Sequence, residues 1–182
     1  MKLVKYVGSI VLGITSMLTP QISFAANAAP LGLELGIATY AQVKQQTGSK
    51  TSLSDAGMNK YSGGKMLQGE GEGLGIEGLS DITFIFDKSG KLAAVSMTLP
   101  KESFKQTLSA LSSKYMLLEK QVPFVGNASA KLQQGDSLIE LTAPHLSFEM
   151  EVLYMTSAMK KAFAQQSTND RTAKEKQQAD LF

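Results

Sequence analysis

The chain has 182 residues, with 18 basic and 16 acidic side chains, one histidine and no cysteine. Without cysteine there are no disulfides, no thiol catalysis, no Cys-ligated metal and no lipid-modified N-terminal Cys. Setting aside Lys2 and Lys5, 16 basic residues face 16 acidic ones, and no run of Lys and Arg follows a phosphate backbone, so nucleic acid is not an expected partner.

Lys2 and Lys5 precede an apolar run of about a dozen residues, 7–18, followed by Pro20 and small residues, which is the layout of a secretory signal peptide. Ser23-Phe24-Ala25 and Ala26-Asn27-Ala28 both satisfy the small-x-small rule, so residues 1–28 are read as a leader cleaved after Ala25 or Ala28. The apolar run is shorter than the roughly 20 residues a spanning helix needs, and no second candidate follows. The expected location is therefore a periplasm, with further secretion open, and no integral membrane span. About 155 residues remain, enough for one domain with a substantial core.

Over residues 31–48 the pattern predicts a first helix. Thr39 stands three residues before Gln42 as a capping box, Val43 is placed to staple against Ala38, and Gly48 ends the helix. Residues 49–62 are polar and read as a loop holding one irregular strand; 65–68 read as another strand. The run Gly69, Gly71, Gly73, Gly75 is expected to be twisted, bulged or mobile, because glycine weakens a strand interior. Ile82, Phe84 and Phe86 alternate with Thr83 and Ile85, Asp87-Lys88-Ser89-Gly90 supplies turn chemistry, and 91–99 return as a second strand, which together make a β-hairpin.

After Pro100, Phe104, Leu108, Leu111 and Tyr115 recur at helical spacing, so a second helix is expected over 101–114. Short strands are expected over 116–121, 128–133, 137–142 and 146–155, with Leu146, Phe148, Met150, Val152 and Tyr154 sharing the core face of the last. A third helix is expected over 157–165, and 167–182 read as a polar, disordered tail. The fold class is α+β over residues 31–166. It has a curved antiparallel sheet and about three helices, in an order that suggests two tandem helix-plus-sheet units.

Several chemistries can be weighed on their residues. Gly73-Leu74-Gly75-Ile76-Glu77-Gly78 matches G-x-G-x-x-G, but it runs into a strand where a dinucleotide site needs a helix, so no cofactor is expected. Glu70, Glu72, Glu77 and Asp81 lack calcium-loop spacing, and the methionines form no repeat suited to Cu(I), so no metal is expected. His145, after Pro144 and before Glu149 and Glu151, suits a general base, yet no nucleophile motif accompanies it.

The opening Gly36-Ile37-Ala38-Thr39-Tyr40-Ala41-Gln42-Val43, closed by Gly48, resembles the helix start of outer-membrane assembly lipoproteins of the SmpA/OmlA type and of the β-lactamase-inhibitor-protein fold. The resemblance implies an α+β module that binds other proteins through its sheet face and catalyses nothing; the lipidated Cys of the lipoproteins is missing here. The expected function is that of an exported, non-catalytic binding protein whose partner is another envelope or secreted protein. It would be contacted through the sheet face or the glycine-rich edge around 65–78, with Gly71, Gly73 and Gly75 as binding candidates. The alternatives are a small-ligand or glycan binder with a cleft near His145, Glu149 and Tyr154, and a hydrolase using His145 and Glu149.

Overall fold

The computed structural model describes residues 26–179. Most of the stretch read as a leader, 1–25, lies outside the described residues, as do the last three positions of the tail. Helix α1 (Tyr40–Thr47) starts where its sequence says it should. The Gln42 amide N–H donates to Thr39 Oγ1 at 3.3 Å, the Thr39 N–H donates to Gln42 Oε1 at 2.8 Å, and two otherwise orphaned donors of the first turn are satisfied. Gly48 closes the helix.

A four-stranded meander follows: β1 (Leu53–Met58), β2 (Gly63–Glu70), β3 (Asp81–Asp87) and β4 (Leu92–Pro100). The β3–β4 turn is built on Asp87, whose Oδ1 accepts the Ser89 N–H at 2.8 Å and the Lys91 N–H at 2.9 Å, while Gly90 supplies a φ of +78°. A short 3-10 turn (Lys101–Ser103) then leads into α2 (Phe104–Ser112) and a second meander: β5 (Met116–Gln121), β6 (Ala128–Gln134), β7 (Ser137–Ala143) and β8 (Glu149–Thr156). Helix α3 (Ser157–Ala179) ends the described chain.

Helix-plus-four-strands therefore occurs twice, and the two meanders merge into one open antiparallel sheet of order β1-β2-β3-β4-β8-β7-β6-β5. This is the α+β fold with a curved antiparallel sheet that the periodicities predict. The last strands of the two halves meet at the centre, Ala94 opposite Met155 and Pro100 opposite Glu149. Both outer strands, β1 and β5, carry a register shift, at 55–58 and at 117–119, which interrupts the flat ladder that an added strand would need.

Register decides what each face holds. Phe84, Val95, Tyr154, Ile139 and Leu132 form one row across the sheet. All are buried, and α1 and α2 pack over that face through Val43, Phe104, Leu108 and Leu111. A fully buried phenylalanine such as Phe84 contributes about 1.5–3 kcal/mol by leaving water. Residues 26–38 seal the same face, with Ala28, Leu33 and Leu35 buried. Asn27 links this segment to the β6–β7 turn, donating from Nδ2 to the Leu35 carbonyl at 3.0 Å and accepting the Asp136 N–H at 2.7 Å.

The row one residue along, Ile85, Ala94, Met155 and Leu138, faces the opposite way and takes α3 through Met159. Tyr61 and Phe163 stack with centroids 4.7 Å apart, and Lys60–Asp170 and Lys160–Glu140 ion pairs lie along the same helix. Instead of ending near 165 in a disordered tail, α3 continues to Ala179. No Gly or Pro interrupts it after Ser157, and it is rich in Ala, Gln and Lys, which are good helix formers. Beyond α3 the second face is polar: Thr83, Ser96, Glu151 and Thr142 are partly or fully exposed, and Ser96 Oγ donates to Glu151 Oε1 at 2.6 Å.

Candidate functional site

Four connections gather at one end of the sheet: 71–80 between β2 and β3, 101–103 after β4, 122–127 between β5 and β6, and 144–148 between β7 and β8. All the sequence-chosen site residues except Tyr154 lie in these connections or beside them.

Two of the loops are tied to each other by His145. Its N–H donates to Asn127 Oδ1 at 2.8 Å, and its Nδ1 accepts the Gly126 N–H at 3.3 Å. Lys101 holds the second loop from the other side: its N–H donates to the Phe148 carbonyl at 2.8 Å, and its Nζ donates to the carbonyls of Pro144 and His145. A turn bonded from the Ser147 N–H to the Pro144 carbonyl, and a bond from the Glu149 N–H to Ser147 Oγ at 3.0 Å, shape the rest of the 144–148 loop.

With the backbone so fixed, the side chains point outward. Leu146 and Phe148 are 92% and 91% exposed, Phe124 is fully exposed, and Val122 and Val125 are exposed beside it. Alternation alone puts Leu146 and Phe148 on the core face of the last strand; the structure corrects this. The ladder of β8 begins at Glu149, because Pro144 and Ser147 form a turn and the partner strand β4 ends at Pro100, where the chain enters the 3-10 turn at Lys101. The core face keeps only Met150, Val152 and Tyr154. Phe124 and Val125 escaped the sequence reading altogether. The signal available was V-P-F-V-G-N, an apolar composition at a place where a connection is ordinarily polar.

The catalytic reading of His145 gains no partner here. No Ser, Asp or Glu side chain among the described residues bonds the imidazole, and Glu149 lies exposed at the start of β8, opposite Pro100. No group of three or more His, Asp or Glu among the described residues is placed to hold a metal ion.

Gly71, Gly73 and Gly75 serve the shape of their loop. A side chain at Gly71, which is buried, would overlap the Leu79 carbonyl. One at Gly73, where φ is +84°, would overlap the Lys50 carbonyl; Gly75, at φ +79°, faces open space. Glycine content led to the expectation of a flexible or bulged sheet edge here, and the run does not form one. It closes the β2–β3 connection, and β1 lies outside β2.

Tyr154 belongs elsewhere. It sits on the helix-covered face, 6% exposed, its ring edge-on to Tyr115 at 6.3 Å, and burial, followed by the neighbouring Tyr115 phenol, pushes its hydroxyl far above the usual tyrosine range. The cavity that Tyr154 lines is bordered by Ile76, Glu77 and Gly78 and includes neither His145 nor Glu149.

No family model matches the chain, and no curated relative matches it either. Among solved structures, it is similar to the crystal structure of a DUF4309 family protein (YjgB) from Bacillus subtilis, at 12% identity and a TM-score of 0.36, over 73% of this chain and 88% of that one. A likeness of that depth says nothing about activity or partners.

No helix among the described residues is long and apolar enough to cross a membrane.

Proposed function

We propose that this chain is a non-catalytic binding protein, exported to the periplasm by a cleaved leader, that docks another envelope or secreted protein through the loops 122–127 and 144–148. The observation that carries the reading is the exposure of Val122, Phe124, Val125, Leu146 and Phe148 on two loops whose backbones are cross-bonded through His145. Large apolar side chains exposed together on neighbouring loops are costly in water, and aromatic anchors are the usual energetic centre of a protein interface. The bonds from Gly126 and Asn127 to His145 hold the two loops beside each other, which lowers the cost of presenting both to one partner.

The resemblance of 36–43 to SmpA/OmlA-type lipoproteins and β-lactamase-inhibitor-like modules fits the same mode, contact without catalysis. The stretch 65–78 is less suited to the contact, because β2 is flanked by β1 and β3 and its following loop folds onto Leu79. Cleavage after Ala25 suits this reading better than cleavage after Ala28, because Asn27 and Ala28 are built into the fold.

The test is affinity capture from envelope extracts with the tagged mature chain beside its Phe124→Ser/Phe148→Ser variant. The reading requires a stoichiometric protein held by the first and lost by the second, with both showing the same thermal unfolding. Retention of the same protein by both would refute docking through these loops.

A further inference from the structure

A second, independent feature lies on the helix-covered face, where the two halves of the fold meet. Between the 76–78 loop and α2 the central strands leave a cavity of about 480 Å³. Its floor is apolar: Met97 and Leu99 from β4, Val152 and Tyr154 from β8. Clefts at the junction of two structural units, largely apolar with a few polar groups, are the common form of small-molecule sites.

Three polar observations give the cavity a chemical preference. Tyr154 is 6% exposed as a residue, yet its hydroxyl, which makes no hydrogen bond to any described residue, is not sealed off, so a donor and acceptor is left free in the cavity wall. The charged residues lining the space are Glu77, from the first half, and Glu102, from the second; no Lys or Arg lines it. Neither carboxylate forms an ion pair among the described residues.

We propose that this cavity binds a small amphipathic amine, its apolar body against Met97, Leu99 and Val152, its ammonium group toward Glu77 and Glu102, and a polar atom on the Tyr154 hydroxyl. The carboxylates are exposed, so charge sets preference among ligands while apolar contact supplies most of the affinity. For a ligand of about nine heavy atoms the dissociation constant falls near 1 mM.

The experiment is methyl NMR on the full mature chain, following Met97, Leu99 and Val152 during titration with 2-phenylethylamine, its neutral analogue 2-phenylethanol, and the anion phenylacetate. The expected result is saturable shifts at these three methyl-bearing residues with the amine, weaker binding of the alcohol, and weakest binding of the anion. Glu77→Gln and Glu102→Gln should each weaken the amine by about 1.5- to 5-fold and leave the alcohol unchanged. Tyr154→Phe, which keeps the ring packed, should weaken tyramine, which adds a phenol hydroxyl to 2-phenylethylamine, by about 2- to 10-fold, and leave 2-phenylethylamine itself unchanged. Absence of saturable shifts at the three residues would overturn the site. Equal affinity for amine and anion, or indifference to both Glu→Gln variants, would overturn the assignment to cations.

Discussion

Asn27→Ala tests whether the segment preceding the first helix is part of the folded unit. The side chain makes two bonds, from Nδ2 to the Leu35 carbonyl at 3.0 Å and from the Asp136 N–H to Oδ1 at 2.7 Å. A net hydrogen bond contributes about 0.5–1.5 kcal/mol. Leu35 is fully buried, so losing its donor belongs at the upper end of that range; Asp136 is exposed, its N–H can turn to water, and its loss belongs at the lower end. The sum is about 2 kcal/mol, which for a chain of this size lowers the melting temperature by about 4–8 °C. Urea titration followed by far-UV circular dichroism, on the chain beginning at Ala26, measures it. Asn27→Asp keeps the acceptor and loses the donor, and should fall between wild type and Asn27→Ala. If Asn27→Ala unfolds within about 0.5 kcal/mol of wild type, residues 26–28 are not integral to the fold, and the preference for cleavage after Ala25 goes with them.

Two further outcomes follow from the turns. Burial alone would raise the Asp87 carboxyl, but bonds from the Ser89 hydroxyl and the backbone N–H groups of Lys91 and Ser89, with the Lys91 charge, hold it below its ordinary value of 3.8. A lowered folded value means the stabilisation is complete above 3.8 and disappears as the pH falls through the folded value. Asp87→Ala should therefore cost about 1–2 kcal/mol at pH 7 and progressively less in acid; an equal cost at about pH 2.5 would contradict the assignment. In the β2–β3 loop, Gly71→Ala meets the Leu79 carbonyl and should cost about 1–3 kcal/mol. Gly75→Ala has open space and a positive φ only, and should cost about 1 kcal/mol; a reversal of that order in urea titrations would refute the packing argument.

Legibility of the chain followed the range of the interactions involved. The Thr39–Gln42 capping box, the hairpin around Asp87–Gly90 and the bounds of β5 are written in neighbouring residues, and each was readable from them. Leu146 and Phe148 were misread because alternation reports a period and not where the ladder stops; the stop depends on Lys101, over 40 residues away. The face that α3 covers depends on Met159 and Phe163 meeting Met155 and Tyr61, which no local pattern announces. Glycine content correctly marked 71–75 as special, but Gly71 is needed because Leu79 closes over it, and that contact is visible only once the loop is folded.

The strand order has a kinetic consequence. Within each half, every strand pairs with its immediate successor, so both meanders can assemble from contacts close along the chain. The two halves are joined through a single pairing, β4 with β8, whose partners lie from 49 residues apart (Pro100 and Glu149) to 61 (Ala94 and Met155). Closing that distance carries the larger loop entropy, so union of the halves is the step expected to be slowest in folding. Until it happens, the apolar rows of both central strands stand open at their inner borders, and that interval is when the folding chain is most exposed to self-association.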